Sequence, residues 1–302
     1  MVWKTKLLYA IARLIRKSPR AVNQVRKLAR YSSPENTILL DYPVYPSPRW
    51  DTLRPHPELQ MILDVDRARY AEVLKSFLQF IPNFLTIKKS RDECSVRDPF
   101  WINGWMPGLD GVALYSMLSL RRPRRYVEIG SGNSTKFAFK AKTEFSPKTE
   151  IISIDPHPRA VIDVICNQVI RKPLEDVDVR FFDNLGENDI LYVDNSHRVF
   201  MNSDATVLFL EIIPRLGHGV LVEIHDINLP YDYPEEYSDR YYSEQYLLAS
   251  YLLARGNRFE ILLPSYFASH DGELKSILKT LWDSPQMNGV ESHGCSFWLQ
   301  IK

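Results

Sequence analysis

The sequence predicts an α/β fold: a doubly wound, mostly parallel seven-stranded sheet whose last strand runs antiparallel, preceded by an N-terminal helical extension. Three observations carry that expectation. From Arg125 onward, short apolar runs alternate with helical segments; the first run ends in a glycine loop; and the second, fourth and fifth runs end at Asp155, Asp194 and His225-Asp226.

The elements follow in order. Tyr126-Val-Glu-Ile129 reads as strand one, and Gly130-Ser-Gly132 leads into a helix over 134–142 capped by Ser134 or Asn133. Ile151 to Ile154 reads as strand two, 160–170 as the second helix and 177–181 as strand three. Ile190 to Val193 forms strand four, 204–216 a helix, and 219–224 strand five. A helix over 242–255, strand six over 259–263 and a final strand over 296–301 complete the series. The last two strands read as a hairpin-like pair around a long insertion, which makes the seventh antiparallel. Upstream, helical spacing covers 66–84 and about 110–120, with a loop rich in Trp, Gly and Pro at 99–107 between them. The expected division is 1–97, a helical extension with a Pro-rich connector, and 98–302, the ligand-binding domain.

Composition narrows the class. Of 302 residues, 45% are hydrophobic and 25% charged, enough for a sizeable core. Residues 1–30 hold nine Lys or Arg and no acid, so the rest of the chain is acidic. In that basic segment Leu7, Leu8, Ile11, Leu14 and Ile15 share one helical face. Two placements fit it: packing on its own domain or a partner subunit, or peripheral contact with an anionic membrane surface. A homo-oligomer is compatible with the first. Without a basic stripe beyond the N-terminus, no nucleic-acid partner is expected. Cys94, Cys166 and Cys295 match no zinc spacing and read as small core residues of a reducing compartment. No run approaches the roughly 18 apolar residues of a membrane span, so the expectation is a soluble cytoplasmic protein.

The glycine loop gives the first chemical reading. Glycines let a ligand approach the backbone, and a helix N-terminus offers unpaired N–H groups. A dinucleotide fingerprint would place a third glycine at 135, where this chain has Thr135, and Glu128 stands two residues before the first glycine. An acid beside the loop suits a cationic nucleoside better than a pyrophosphate, and S-adenosylmethionine is such a ligand. Asp155 is placed to accept hydrogen bonds from ribose hydroxyls. Candidate cofactor residues are Glu128, Gly130, Ser131, Gly132, Asn133, Ser134, Asp155 and Asp194.

The run Val127-Glu-Ile-Gly-Ser-Gly-Asn-Ser-Thr135, followed by Ile154-Asp-Pro156, resembles motifs I and II of class I S-adenosylmethionine-dependent methyltransferases. Asp194-Asn-Ser-His197 and Ile224-His-Asp-Ile227 resemble a bacterial branch with D-x-x-H after strand four and H-D-I after strand five. The likeness spans roughly 98–302 and implies a Rossmann-like methyltransferase domain. One departure is Ser134, which stands where the general methyltransferase loop has its third glycine.

Ligands of such sheets sit beyond the C-terminal strand ends, where these residues gather. The expected reaction is O-methylation of a small-molecule or saccharide hydroxyl. Asp194, His197 and His225 are the catalytic candidates, and two mechanisms fit. Asp194, His225 and Asp226 could hold Mg²⁺ or another divalent cation, as the resemblance implies for metal-dependent relatives, or His197 or His225 could act as general base. His157 reads as a loop residue near the adenosine. Trp101, Asn103 and Trp105, and the aromatic segment from Tyr231 through Tyr233 and Tyr237 to Tyr242, are candidate covers or stacking surfaces. The competing readings are a catalytically silent S-adenosylmethionine-binding or assembly module and an NAD-dependent oxidoreductase.

Overall fold

The computed structural model describes residues 44–302, and Pro46–Lys302 forms one compact unit. The basic helix expected around 7–15 and most of the Pro-rich connector lie outside the described residues.

Seven strands build one sheet: β1 Arg125–Ile129, β2 Glu150–Ile154, β3 Gln168–Ile170, β4 Ile190–Val193, β5 Leu221–Ile224, β6 Phe259–Pro264 and β7 Phe297–Ile301. Their order is β3-β2-β1-β4-β5-β7-β6, with β7 antiparallel to both neighbours and the other six parallel. β4 and β5 are buried along their whole length. That is why they read as continuous apolar runs rather than alternating ones. The strand order reverses between β1 and β4, which opens a crevice at their C-terminal ends.

Two elements differ from expectation. The helix expected at 160–170 is a single 3-10 turn, Asp163–Ile165, followed by β3 itself. Ile162 and Ile165 are both buried, so the three-residue spacing that mimicked a helix comes from one turn. The strand expected at 177–181 instead follows one 3-10 turn, Leu174–Asp176, and runs into a second, Val179–Asn184. Asp178 caps the second by accepting from the Arg180 N–H at 3.0 Å, offering the backbone a partner other than a strand.

The helix Gly108–Arg121 is buried from Gly108 to Ser119. Ahead of it, Pro57–Asp64 starts with proline in its first turn, and Arg67–Phe77 follows. Leu59, Leu63, Tyr70, Leu74 and Phe77 from these helices enter the same core as the sheet. Arg67 pairs with Asp271 at 2.5 Å and Arg69 with Glu260 at 2.6 Å, fixing the second of them to the β6 side. Leu59 to Ile87, read from the sequence as part of an extension, thus contribute side chains to the same core as the sheet. Among the described residues, no helix is long and apolar enough to cross a membrane.

Candidate active site

The crevice at the strand ends is a cavity of about 630 Å³, within the range of roughly 300–1,000 Å³ typical of small-molecule sites. Its floor is the glycine loop, Gly130 to Ser134, at the start of the helix Asn133–Phe145. Gly130 has φ +76°, and a Cβ there would lie 1.8 Å from the Asp194 carbonyl oxygen. Only glycine lets the loop pass the end of β4 so closely. At Gly132 a Cβ would meet open space, so the loop leaves room above it for a ligand.

Thr135 explains the missing third glycine. Its hydroxyl accepts from the Gly132 N–H at 3.1 Å and donates to Glu128 at 2.5 Å. Glu128 is fully buried beneath the loop and does not line the cavity. Burial pushes its carboxyl up to about 8, against the pull of hydrogen bonds from Ser134 and Thr135. A carboxyl with that affinity for its proton is largely neutral near pH 7. The sequence argument that Glu128 supplies an anion for a cationic ligand therefore fails, and its role is to brace the loop.

Asp155 lines the cavity as expected. One carboxylate oxygen accepts from the Ser131 N–H at 2.7 Å and the other from the His157 N–H at 2.7 Å. Each oxygen keeps acceptor capacity for a ligand hydroxyl. Ser131, Asn133, Ser134 and His157 also face the cavity. Asn133 does not cap its helix; its side-chain amide donates to the Phe100 carbonyl at 3.0 Å and pins the 99–107 loop over the glycine loop. Asn103 folds that loop, accepting from the Trp105 and Met106 N–H groups at 2.9 and 2.8 Å. Trp105 reaches the rim, where the Arg159 guanidinium lies 4.3 Å from its ring centre. Trp101 is a core residue instead, 3% exposed.

Asp194, Asn195, Tyr192 and His225 line the cavity at the ends of β4 and β5. His197 is 3% exposed and surrounded by carboxylates. Its Nε2 lies 3.1 Å from Asp194 and 3.4 Å from Asp226, and its Nδ1 lies 3.1 Å from Glu244. Burial acts to discharge this ring, but the hydrogen bonds to Asp194 and Glu244 and the charge of Asp226 outweigh it, holding its pKa well above the ordinary value. The ring is an imidazolium without a free lone pair, so the expected general-base role does not fit its surroundings. Burial pushes Asp194 upward, yet the His197 hydrogen bond and the charges of His225 and His197 hold it below its ordinary value. The Asp194 carboxylate thus lines the cavity with His197 behind it favouring its ionised form.

The expected metal set, Asp194, His225 and Asp226, does not converge. His197 Nε2 stands between the two carboxylates, while the ring nitrogens of His225 are engaged by Glu223 at 3.3 Å and Cys295 at 3.6 Å. The aromatic segment after β5 packs on itself: Tyr233 meets Tyr237, Tyr242 and Tyr246, with ring centres 5.7–6.4 Å apart. Tyr242 covers His197, 4.7 Å between centres, and none of these tyrosines lines the cavity. Sequence reading missed Glu244, Asp110 and Cys295. Nothing in their local sequence distinguishes them, because partners 47–185 residues away make them polar centres.

Comparison with known proteins agrees with the position of the loop. Residues 127–227, about a third of the chain, match a family model described as a methyltransferase domain. A curated protein of Archaeoglobus fulgidus, itself uncharacterised, is 37% identical over 94 residues, 29% of this chain. The match spans 42% of that relative, so the chain covers less than half of its length. Among solved structures, a methyltransferase of Podospora anserina bound to S-adenosylhomocysteine is 16% identical with a TM-score of 0.40, covering 75% of this chain and 88% of that one. An O-methyltransferase of Bacillus cereus in complex with the same ligand is 13% identical with a TM-score of 0.40, covering 83% and 99%.

Two outcomes follow from the loop. Gly130→Ala forces a side chain into the Asp194 backbone and should cost roughly 3 kcal/mol or prevent folding, whereas Gly132→Ala should fold normally; denaturant unfolding compares them. For Glu128, the folded chain keeps a proton between about 4.5 and 8 that the unfolded chain has released. This group's contribution therefore makes stability fall as pH rises through that window. Glu128→Gln should flatten the decline in Tm between about pH 5 and 8. An unchanged slope would contradict a proton held at Glu128.

Proposed function

We propose that residues 127–227, which match a methyltransferase-domain family model, form a class I S-adenosylmethionine-dependent methyltransferase domain, and that this chain transfers the cofactor's methyl group to a hydroxyl of a small-molecule or saccharide acceptor. The observation that carries the reading is one cavity lined by the glycine loop, by Asp155 after β2 and by Asp194 after β4, whose carboxyl His197 helps to hold below its ordinary pKa.

The residues fit the cofactor. Gly130 to Ser134 leave space above the backbone, and Asp155, oriented by two backbone N–H groups, accepts from the ribose hydroxyls. S-adenosylmethionine supplies an electrophilic methyl on a sulfonium. Asp194 and Asn195 lie where the acceptor must enter, beside the apolar walls of Met106 and Tyr192. The acceptor oxygen forms the new C–O bond as the C–S bond breaks, and the hydroxyl proton passes to Asp194. A carboxylate of low basicity is adequate because the hydroxyl becomes acidic only as the new bond forms. Alignment supplies much of the acceleration. His197 positions Asp194 and keeps it ionised. His225, facing the cavity but hydrogen-bonded on its far side, shapes the acceptor end. The polar and aromatic walls support a hydroxylated acceptor with an apolar face.

Calorimetry should show S-adenosylhomocysteine binding, weakened at least tenfold in Asp155→Ala, consistent with loss of charge-assisted hydrogen bonds of about 1.5–3 kcal/mol. A folded protein that binds none would sink the proposal. Asp194→Asn should lower kcat on an accepted hydroxyl by about 10²–10⁴ while leaving S-adenosylhomocysteine affinity within a few-fold. Equal losses in binding and turnover would instead place Asp194 on the cofactor.

A further inference from the structure

Behind the reactive end of the cavity lies a second group of ligating side chains, drawn from three separate segments. Asp110 comes from the first turn of the helix Gly108–Arg121, His225 and Asp226 follow β5, and Cys295 precedes β7. Asp110 is 1% exposed, His225 2% and Cys295 8%, and among the described residues these three form a group whose ligand atoms all lie within 4.8 Å of one another. Cys295 Sγ lies 3.3 Å from Asp110 Oδ2, 3.6 Å from His225 Nε2 and 3.3 Å from Asp226 Oδ1, and His225 Nε2 lies 4.0 Å from Asp110 Oδ2.

Those separations can be compared with the edges of a metal tetrahedron. With Zn–S near 2.3 Å and Zn–N or Zn–O near 2.0–2.1 Å, tetrahedral geometry spaces sulfur and nitrogen or oxygen ligands about 3.5 Å apart, and nitrogen and oxygen about 3.3 Å apart. The two sulfur edges within the group match within a few tenths of an ångström; the His225–Asp110 edge must close by about 0.7 Å to match. The surroundings are also those of a metal ligand set. Glu223 Oε1, 3.3 Å from His225 Nδ1, orients the imidazole so that Nε2 faces the group, a carboxylate–histidine arrangement characteristic of zinc sites. Asp110 is held by the Cys295 and Ser296 N–H groups at 2.8 and 3.0 Å.

We propose that Asp110, His225 and Cys295 bind one Zn²⁺ ion, with a water completing the tetrahedron. One thiolate, one imidazole and one carboxylate suit a borderline-soft cation such as zinc. Such an ion clasps the start of the Gly108–Arg121 helix to the ends of β5 and β7. On binding, the Cys295 thiol loses its proton to solvent and the metal gives up all but one of its waters; no redox step is involved. The site is independent of the methyl-transfer reading, since an inactive chain could bind zinc equally well.

The test uses the full-length protein, purified without chelators and then reconstituted with ZnSO₄ or CoCl₂. Expected are about one zinc per chain by elemental analysis and, with cobalt, a thiolate-to-cobalt charge-transfer band in the near ultraviolet. Cys94→Ala/Cys166→Ala, which leaves Cys295 as the sole thiol, should keep that band. Cys295→Ser should lose it, with circular dichroism verifying the fold, and Asp194→Asn should retain it. Zinc should raise the wild-type Tm and a chelator should lower it. Failure of the wild type to take up zinc or cobalt would overturn the proposal, as would loss of the band in the double cysteine variant. A band lost in Asp194→Asn, or zinc retained in full by folded Cys295→Ser, would place the metal elsewhere and equally defeat it.

Discussion

The buried imidazolium of His197 is the interaction on which the reactive end depends. Three carboxylates, from the ends of β4 and β5 and from the helix Glu244–Leu253, meet at one ring that is almost fully enclosed. Any of these charges alone would be costly in the interior. Together they fix the loops after two strands and the helix that follows. The His197 carbonyl adds to this by accepting from the Ser243 and Glu244 N–H groups at 2.8 and 3.2 Å. Removing one partner leaves the others uncompensated, which is the situation in which buried ion pairs matter most. Burial pushes Glu244 upward against the hydrogen bond from His197, which tempers the excess negative charge.

Backbone strain is concentrated at the same place. His197 and Asp226 have φ of +58° and +54°, in the left-handed region that residues with a Cβ enter at a cost. The shared ion pair compensates for that conformation and aims both side chains inward. Asp194, by contrast, keeps one side toward the cavity. A residue held ionised by a partner behind it and open in front is suited to receive a proton at a fixed point. Gly130 against Asp194 and Ser131 against Asp155 couple the glycine loop to the ends of β4 and β2. The cavity floor is thereby set by contacts that depend on the sheet register.

Some elements were legible because their signal is local. Continuous apolar runs gave β1, β2, β4 and β5, since strands covered on both faces have no solvent side to interrupt them. The glycine loop and the acids closing β2 and β4 were legible for a similar reason, as each marks the end of a run. At β3 the reading failed where one 3-10 turn at Ile162 and Ile165 imitated helical spacing, and where Val177, Val179 and Phe181 alternated without forming a strand. Short apolar periods there fit more than one backbone, and pairing with β2 decides between them.

The sequence by itself determined the sheet's parallel centre, its antiparallel last strand, the cavity's glycine floor and the presence of acids and histidines at its edge. These follow from residue type and spacing along the chain. Only tertiary structure decided what those groups are. Burial neutralises Glu128, the acid that had seemed to face the ligand. Three carboxylates turn His197 from a base into a fixed cation, and 185 residues separate Asp110 from the cysteine it meets. Protonation and ligation depend on solvent exclusion and on neighbours distant in sequence, and neither can be read from spacing.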